Sequence, residues 1–178
     1  MRARGYTLPE ILIAVVVLAL GIVGGVALQM SALRARHQAV LLSQATHMAV
    51  ALAERVRANP AQADLYLTLN YDAYAEPVPH APACLCHGDA CAAAQLALAD
   101  MYEAKLLVRQ SMPAGRVAVC RDAGVWSGGK LRWACEGGAA SPLVVKVGWR
   151  GKNPDGTPLK DAAGEYAPGV ALVVGAVP

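Results

Sequence analysis

Two groups of residues in this 178-residue chain could do chemistry. The first is a single carboxylate, Glu10, at the head of the run Ile11 to Leu28, which has eighteen residues without a polar side chain and no basic residue after it before Arg34. An ionisable group entering so long an apolar stretch is costly to desolvate and marks a functional position, because a buried charge becomes tolerable once it is paired. The second group is Cys84-Leu85-Cys86-His87 with Cys91, followed by Cys120 and Cys135. Thiolates and imidazole at short spacing can bind zinc, but Cys-x-Cys-His-x3-Cys is neither a standard zinc pattern nor the Cys-x-x-Cys-His of covalent haem. Disulfides are the expected state, and five cysteines then leave one thiol over. Cys120 and Cys135 fall on two consecutive expected strands joined by a hairpin-like segment and are expected to pair; Cys91 then takes Cys84 or Cys86. No metal or cofactor is expected. His37, His47, His80 and His87 stand beside no nucleophile signature, so the residues point away from an enzyme.

The elements that must position these groups follow from periodicity. Ile11 to Leu28 is about 27 Å long as a helix, close to the hydrocarbon thickness of a bilayer, and reads as a retained membrane span. A cleaved secretory signal would have a shorter apolar core and a small-x-small site; this span continues into Gln29, Met30 and a long amphipathic stretch instead. Arg2 and Arg4 precede it and argue for a cytoplasmic N-terminus, weakly, since Arg34 and Arg36 follow. Met30, Leu33, Val40, Leu41, Ala45, Met48, Leu52 and Val56 recur at helical spacing until Asn59-Pro60, where proline removes a donor and pushes its predecessor out of helical geometry. The expected plan is therefore a membrane half of one helix over 6–29, its amphipathic half over 30–59, a connecting loop containing a second helix (Ala92 to Gln110) over 60–113, and a sheet region over 114–178.

Four strands are expected in that last region, at GRVAVCRD, LRWACE, SPLVVKVGWRG and GVALVVGAV, with SGGK as a turn. Val145, Val147 and Trp149 alternate with Lys146, Gly148 and Arg150 in the manner of half-buried antiparallel strands. The fold class is α+β, with the amphipathic half of the long helix covering one face of a small antiparallel sheet. Trp126, Trp133 and Trp149 are expected as sheet core or cover. The apolar share of 56% exceeds the usual ~45–50%, and the net charge of +3 leaves no basic footprint for nucleic acid.

Gly5-Tyr6-Thr7-Leu8-Pro9-Glu10, running straight into the apolar span, resembles the leader of type IV pilins and pseudopilins. The resemblance implies a leader of residues 1–5, cleaved after Gly5 by a prepilin peptidase, N-methylation of the new terminus at Tyr6, and an assembly contact in which Glu10 pairs with the N-terminal amine of a neighbouring subunit. Tyr6 stands where the family usually has Phe, and Pro9 where it usually has an apolar residue such as Ile. Further stretches resemble PilV-type minor pilins in particular: ALGIVGGVALQ, LAERVRANP, Cys91 to Asp100, Met112-Pro113-Ala114-Gly115 and VKVGW. Gly21-x-x-x-Gly25, with Gly24, matches a small-residue pattern for close helix packing, here against other pilin helices.

The PilV-type resemblance implies a low-abundance subunit that primes pilus assembly at or near the tip. Its partners would be other minor and major pilins, the prepilin peptidase, the inner-membrane assembly platform and, as a further candidate, a tip adhesin. It would begin as a single-pass inner-membrane protein with a periplasmic C-terminal part and end in the filament. Loss of Arg2 and Arg4 with the leader leaves fourteen of the sixteen basic side chains against thirteen acidic ones, again with no nucleic acid expected. Two other readings share these residues: a type II secretion minor pseudopilin, and a bitopic periplasmic thiol or metal protein using Cys84, Cys86, His87 and Cys91.

Overall fold

The computed structural model describes residues 7–86, 91–153, 156–158, 160 and 164–175. The first element, α1, is one uninterrupted helix, Leu8–Ala58. Its start is a reciprocal arrangement at Thr7 and Glu10: the Glu10 and Ile11 amides donate to the Thr7 carbonyl at 3.1 and 3.3 Å, while the Glu10 carboxylate accepts from the Thr7 amide at 3.4 Å and from its hydroxyl at 3.5 Å. Thr-x-x-Glu is the capping-box pattern, and Pro9 lies within its first turn, where a missing amide proton costs no intrahelical bond. The unusual proline is thus compatible with the helix start. The helix ends at Asn59-Pro60, as the sequence requires, and the buried Asn59 side chain ties that end to the carbonyl of Ala93 at 2.8 Å.

The chain segment 39–178 forms a compact unit of its own. Leu41, Ala45, Met48, Ala49, Leu52, Ala53 and Val56, spaced as one helical face, supply α1's share of its core. The stretch after Pro60 is not a featureless loop. It forms a 3-10 turn (Pro60–Gln62), a short helix α2 (Ala63–Tyr66) and a strand β1 (Asn70–Asp72) before α3 (Ala93–Ser111). At the head of α3 the Gln95 side chain accepts the Ala92 amide at 3.0 Å. Five more strands follow: β2 (Arg116–Arg121), β3 (Trp126–Ser127), β4 (Lys130–Leu131), β5 (Leu143–Gly148) and β6 (Val170–Gly175). The main sheet has the order β1-β2-β5-β6, antiparallel throughout, and β3 and β4 make a separate ribbon.

Two sequence expectations are corrected here. LRWACE is not the sheet's fourth strand; β1 takes that place at the edge, with Tyr71 opposite Val117. Only Leu131 of LRWACE pairs, with Trp126. The backbone that follows is diverted by Lys146, whose amine donates to the carbonyls of Arg132, Trp133 and Ala134 at 2.9, 3.3 and 2.9 Å and to the Asp122 carboxylate at 2.6 Å. Three successive carbonyls facing one ammonium cannot alternate as a strand ladder does. The second correction concerns β5 itself, which is buried on both faces rather than one. Lys146 is fully buried, and Trp133 lies so close over the outer face that a Cβ at Gly148 would meet its ring at 3.0 Å.

Candidate assembly surface and cysteine cluster

The two candidate sites differ in what surrounds them. Along α1, no residue from Thr7 to Val40 is buried, and the side chains from Ile11 to Leu28 are apolar. The helix is long and apolar enough to cross a membrane. Glu10 borders Ile11, Ala14, Val15 and Leu18 in a shallow concavity, and among the described residues its hydrogen-bond partners are the amide and hydroxyl of Thr7 alone. A Cβ placed at Gly21, Gly24 or Gly25 would meet nothing within 4 Å. Among the described residues nothing requires glycine there. Gly5 and Tyr6 lie outside the described residues.

The cysteines are brought together in two places. Cys120, on β2, is joined to Cys135 with their Cα atoms 6.2 Å apart, although Cys135 lies in the diverted segment and not on a strand. Cys86 is joined to Cys91, Cα to Cα 5.7 Å, and Cys84 is the free thiol. The Cys84 Sγ lies 2.7 Å from that of Cys91 and 3.7 Å from that of Cys86. Cys84, Cys86 and Cys91 are the group among the described residues that could hold a metal ion. With two of them in a disulfide only Cys84 offers a thiolate, too few for a soft-metal site. His87, named with them from the sequence, lies outside the described residues.

Two polar clusters stabilise the unit and escaped the sequence reading. Arg55 of α1 pairs with Asp100 at 3.0 Å and Glu103 at 2.6 Å, both on α3, and the buried Tyr66 hydroxyl of α2 donates to the other Asp100 oxygen at 2.5 Å. Burial and the neighbouring Asp100 carboxylate push the Tyr66 phenol well up. Burial alone would lower Arg55, but Glu103 and Asp100 outweigh it and raise the guanidinium. The second cluster is Asp122, which receives Lys146 on one oxygen and the amides of Gly124 and Glu136 on the other at 3.0 and 3.2 Å. Burial works to raise the Asp122 carboxyl, yet these donors hold it below its ordinary value. The signal in the sequence was Val144: it shares the strand face of Lys146, and an apolar residue there implied that this face is covered as well.

Two family models match adjoining stretches that together span residues 1–102 of the 178. Residues 1–26 match the prokaryotic N-terminal methylation motif, and residues 27–102 match a model described as type IV pilin Tt1218. The chain belongs to the type IV pilin family. Among the residues matched are Glu10, the long helix and the Cys84–Cys91 cluster, and the architecture of a long apolar-headed helix packed on a four-stranded antiparallel sheet is that of the type IV pilin fold. No curated protein and no solved structure matches the chain significantly. As a pilin it is a subunit of a filament, and the exposed apolar half of α1 is the part suited first to a membrane and then to contacts between subunits.

Proposed function

We propose that this pilin is a PilV-type minor subunit, cleaved after Gly5, methylated at Tyr6, and built into a type IV pilus at or near its tip, where it primes assembly with other minor pilins. Before assembly it is anchored in the inner membrane by the apolar half of α1, with the remainder in the periplasm; major pilins, the prepilin peptidase, the assembly platform and a tip adhesin are its partners. The observation that carries this reading is Glu10. Its carboxylate stands at the head of an exposed apolar helix with, among the described residues, Thr7 for a partner, five residues after Gly5, where a neighbouring subunit's terminal amine could pair with it. Gly21, Gly24 and Gly25 provide close approach between such helices. The assignment to the minor, PilV-type group is supported by its resemblance at LAERVRANP, Met112 to Gly115 and VKVGW.

Glu10→Gln is an informative variant, because glutamine can keep the capping hydrogen bond to Thr7 while removing the charge. The expected result is normal leader cleavage with few surface pili. A Gly5 substitution should leave the leader in place and keep the chain out of filaments, and the wild-type chain should be present in sheared pili far below the major subunit. Normal piliation by cells whose only copy is an uncleaved Gly5 variant would contradict the proposal.

A further inference from the structure

Cys91 has two sulfurs within reach. Its present partner is Cys86, five residues away; the Cys84 thiol, seven residues away, lies 2.7 Å from its sulfur. We infer that Cys84, Cys86 and Cys91 form an internal thiol–disulfide exchange triad, in which Cys91 alternates between Cys86 and Cys84 and the reactive thiol alternates in the opposite sense. The Cys84 thiolate attacks the Cys91 Sγ, a Cys84–Cys91 bond forms, the Cys86–Cys91 bond breaks, and Cys86 leaves with the electron pair as a thiolate that takes up the proton Cys84 gave to water. One disulfide and one thiol are present before and after. No oxidant or reductant is consumed.

Three observations support exchange between the two pairings. The separations are five and seven residues, so both rings are local and neither pairing has to draw in a distant part of the chain. The Cys86 pairing is seen with Cys86 in the left-handed region, at φ 58°, which an L-residue adopts reluctantly. All three cysteines are only partly buried, so water can receive and return the proton. The other disulfide has no such competitor in the described cluster, since it joins Cys120 to Cys135 across fifteen residues.

The test uses the full-length chain purified in detergent without reductant, quenched in acid to stop exchange, then alkylated with N-ethylmaleimide in denaturant and mapped by fragment-ion mass spectrometry. Label is expected on Cys84 in one fraction of molecules and on Cys86 in another, the two within about tenfold of each other, with Cys120 and Cys135 unlabelled. In Cys86→Ser, Cys84 should bond to Cys91 and none of the four remaining cysteines should take label. The proposal is overturned if wild-type label falls on Cys84 alone, or if Cys86→Ser leaves both Cys84 and Cys91 alkylated while Cys120–Cys135 stays intact.

Discussion

Residues 8–38 and 39–58 lie on one helix and are treated oppositely by the fold. The first stretch is the most apolar part of the chain and has no buried side chain; the second carries Arg55, Arg57, Glu54 and His47 and buries seven residues. Hydropathy alone would assign the core to the wrong half. What separates them is burial within the chain: the second half packs into the core with α3 and the sheet, and the first is exposed along its length. Two acids, one buried and one exposed, divide in the same way. Asp122 has Lys146, Arg132 and two amides in its own chain, whereas Glu10 has, among the described residues, Thr7 alone.

Substitutions in the two regions should therefore separate stability from assembly. The largest expected effect is at Asp122→Ala, which strands a buried ammonium and should cost about 3 to 5 kcal/mol in chemical unfolding of the detergent-solubilised chain. Glu10→Ala, its counterpart in the first region, should leave that unfolding midpoint unchanged while filaments are lost. Next comes Leu52→Ala, which empties a core position and should cost about 3 kcal/mol, against no measurable change for the exposed Leu18→Ala. Equal losses at Leu52 and Leu18 would erase the distinction between the two halves.

Smaller effects sharpen the comparison within the second half. Tyr66→Phe removes a hydrogen bond to a carboxylate and should cost about 1.5 kcal/mol near neutral pH. Because the Tyr66 phenol is raised in the folded state, its contribution is complete below the ordinary tyrosine value near ~10 and is lost as pH climbs through the folded value. The wild type should thus lose stability above about pH 10 more steeply than Tyr66→Phe. Asp122 has the opposite sign: depressed when folded, it stabilises above the ordinary carboxylate value of ~3.9, and that contribution fades as pH falls through the folded value. The smallest effect is at Arg57→Ala, whose exposed pair with Glu54 should change the midpoint by no more than ~0.5 kcal/mol.

Legibility in the sequence followed the range of the interactions. The long helix, its stop at Pro60 and the second helix were readable because apolar spacing and proline act locally. Strand β1 was not, since three residues, Asn70–Asp72, carry too little pattern and their partner is β2, far along the chain. LRWACE looked like a strand by composition, and only the distant Lys146 shows why its carbonyls turn aside. Cysteine spacing left Cys84 and Cys86 as equal candidates for Cys91, and the structure places all three sulfurs together. Glu10 was visible as a position for chemistry, but its capping contact with Thr7 becomes apparent only with the helix start in view.

The claim on which the rest depends is that the exposed half of α1 belongs, after processing, inside a filament. N-terminal mass spectrometry of the chain recovered from sheared filaments tests it most directly. The predicted result is a chain in the filament fraction that begins at Tyr6 and carries one N-methyl group. A chain that keeps Met1 to Gly5, and is found in the membrane fraction but never in sheared filaments, would contradict it.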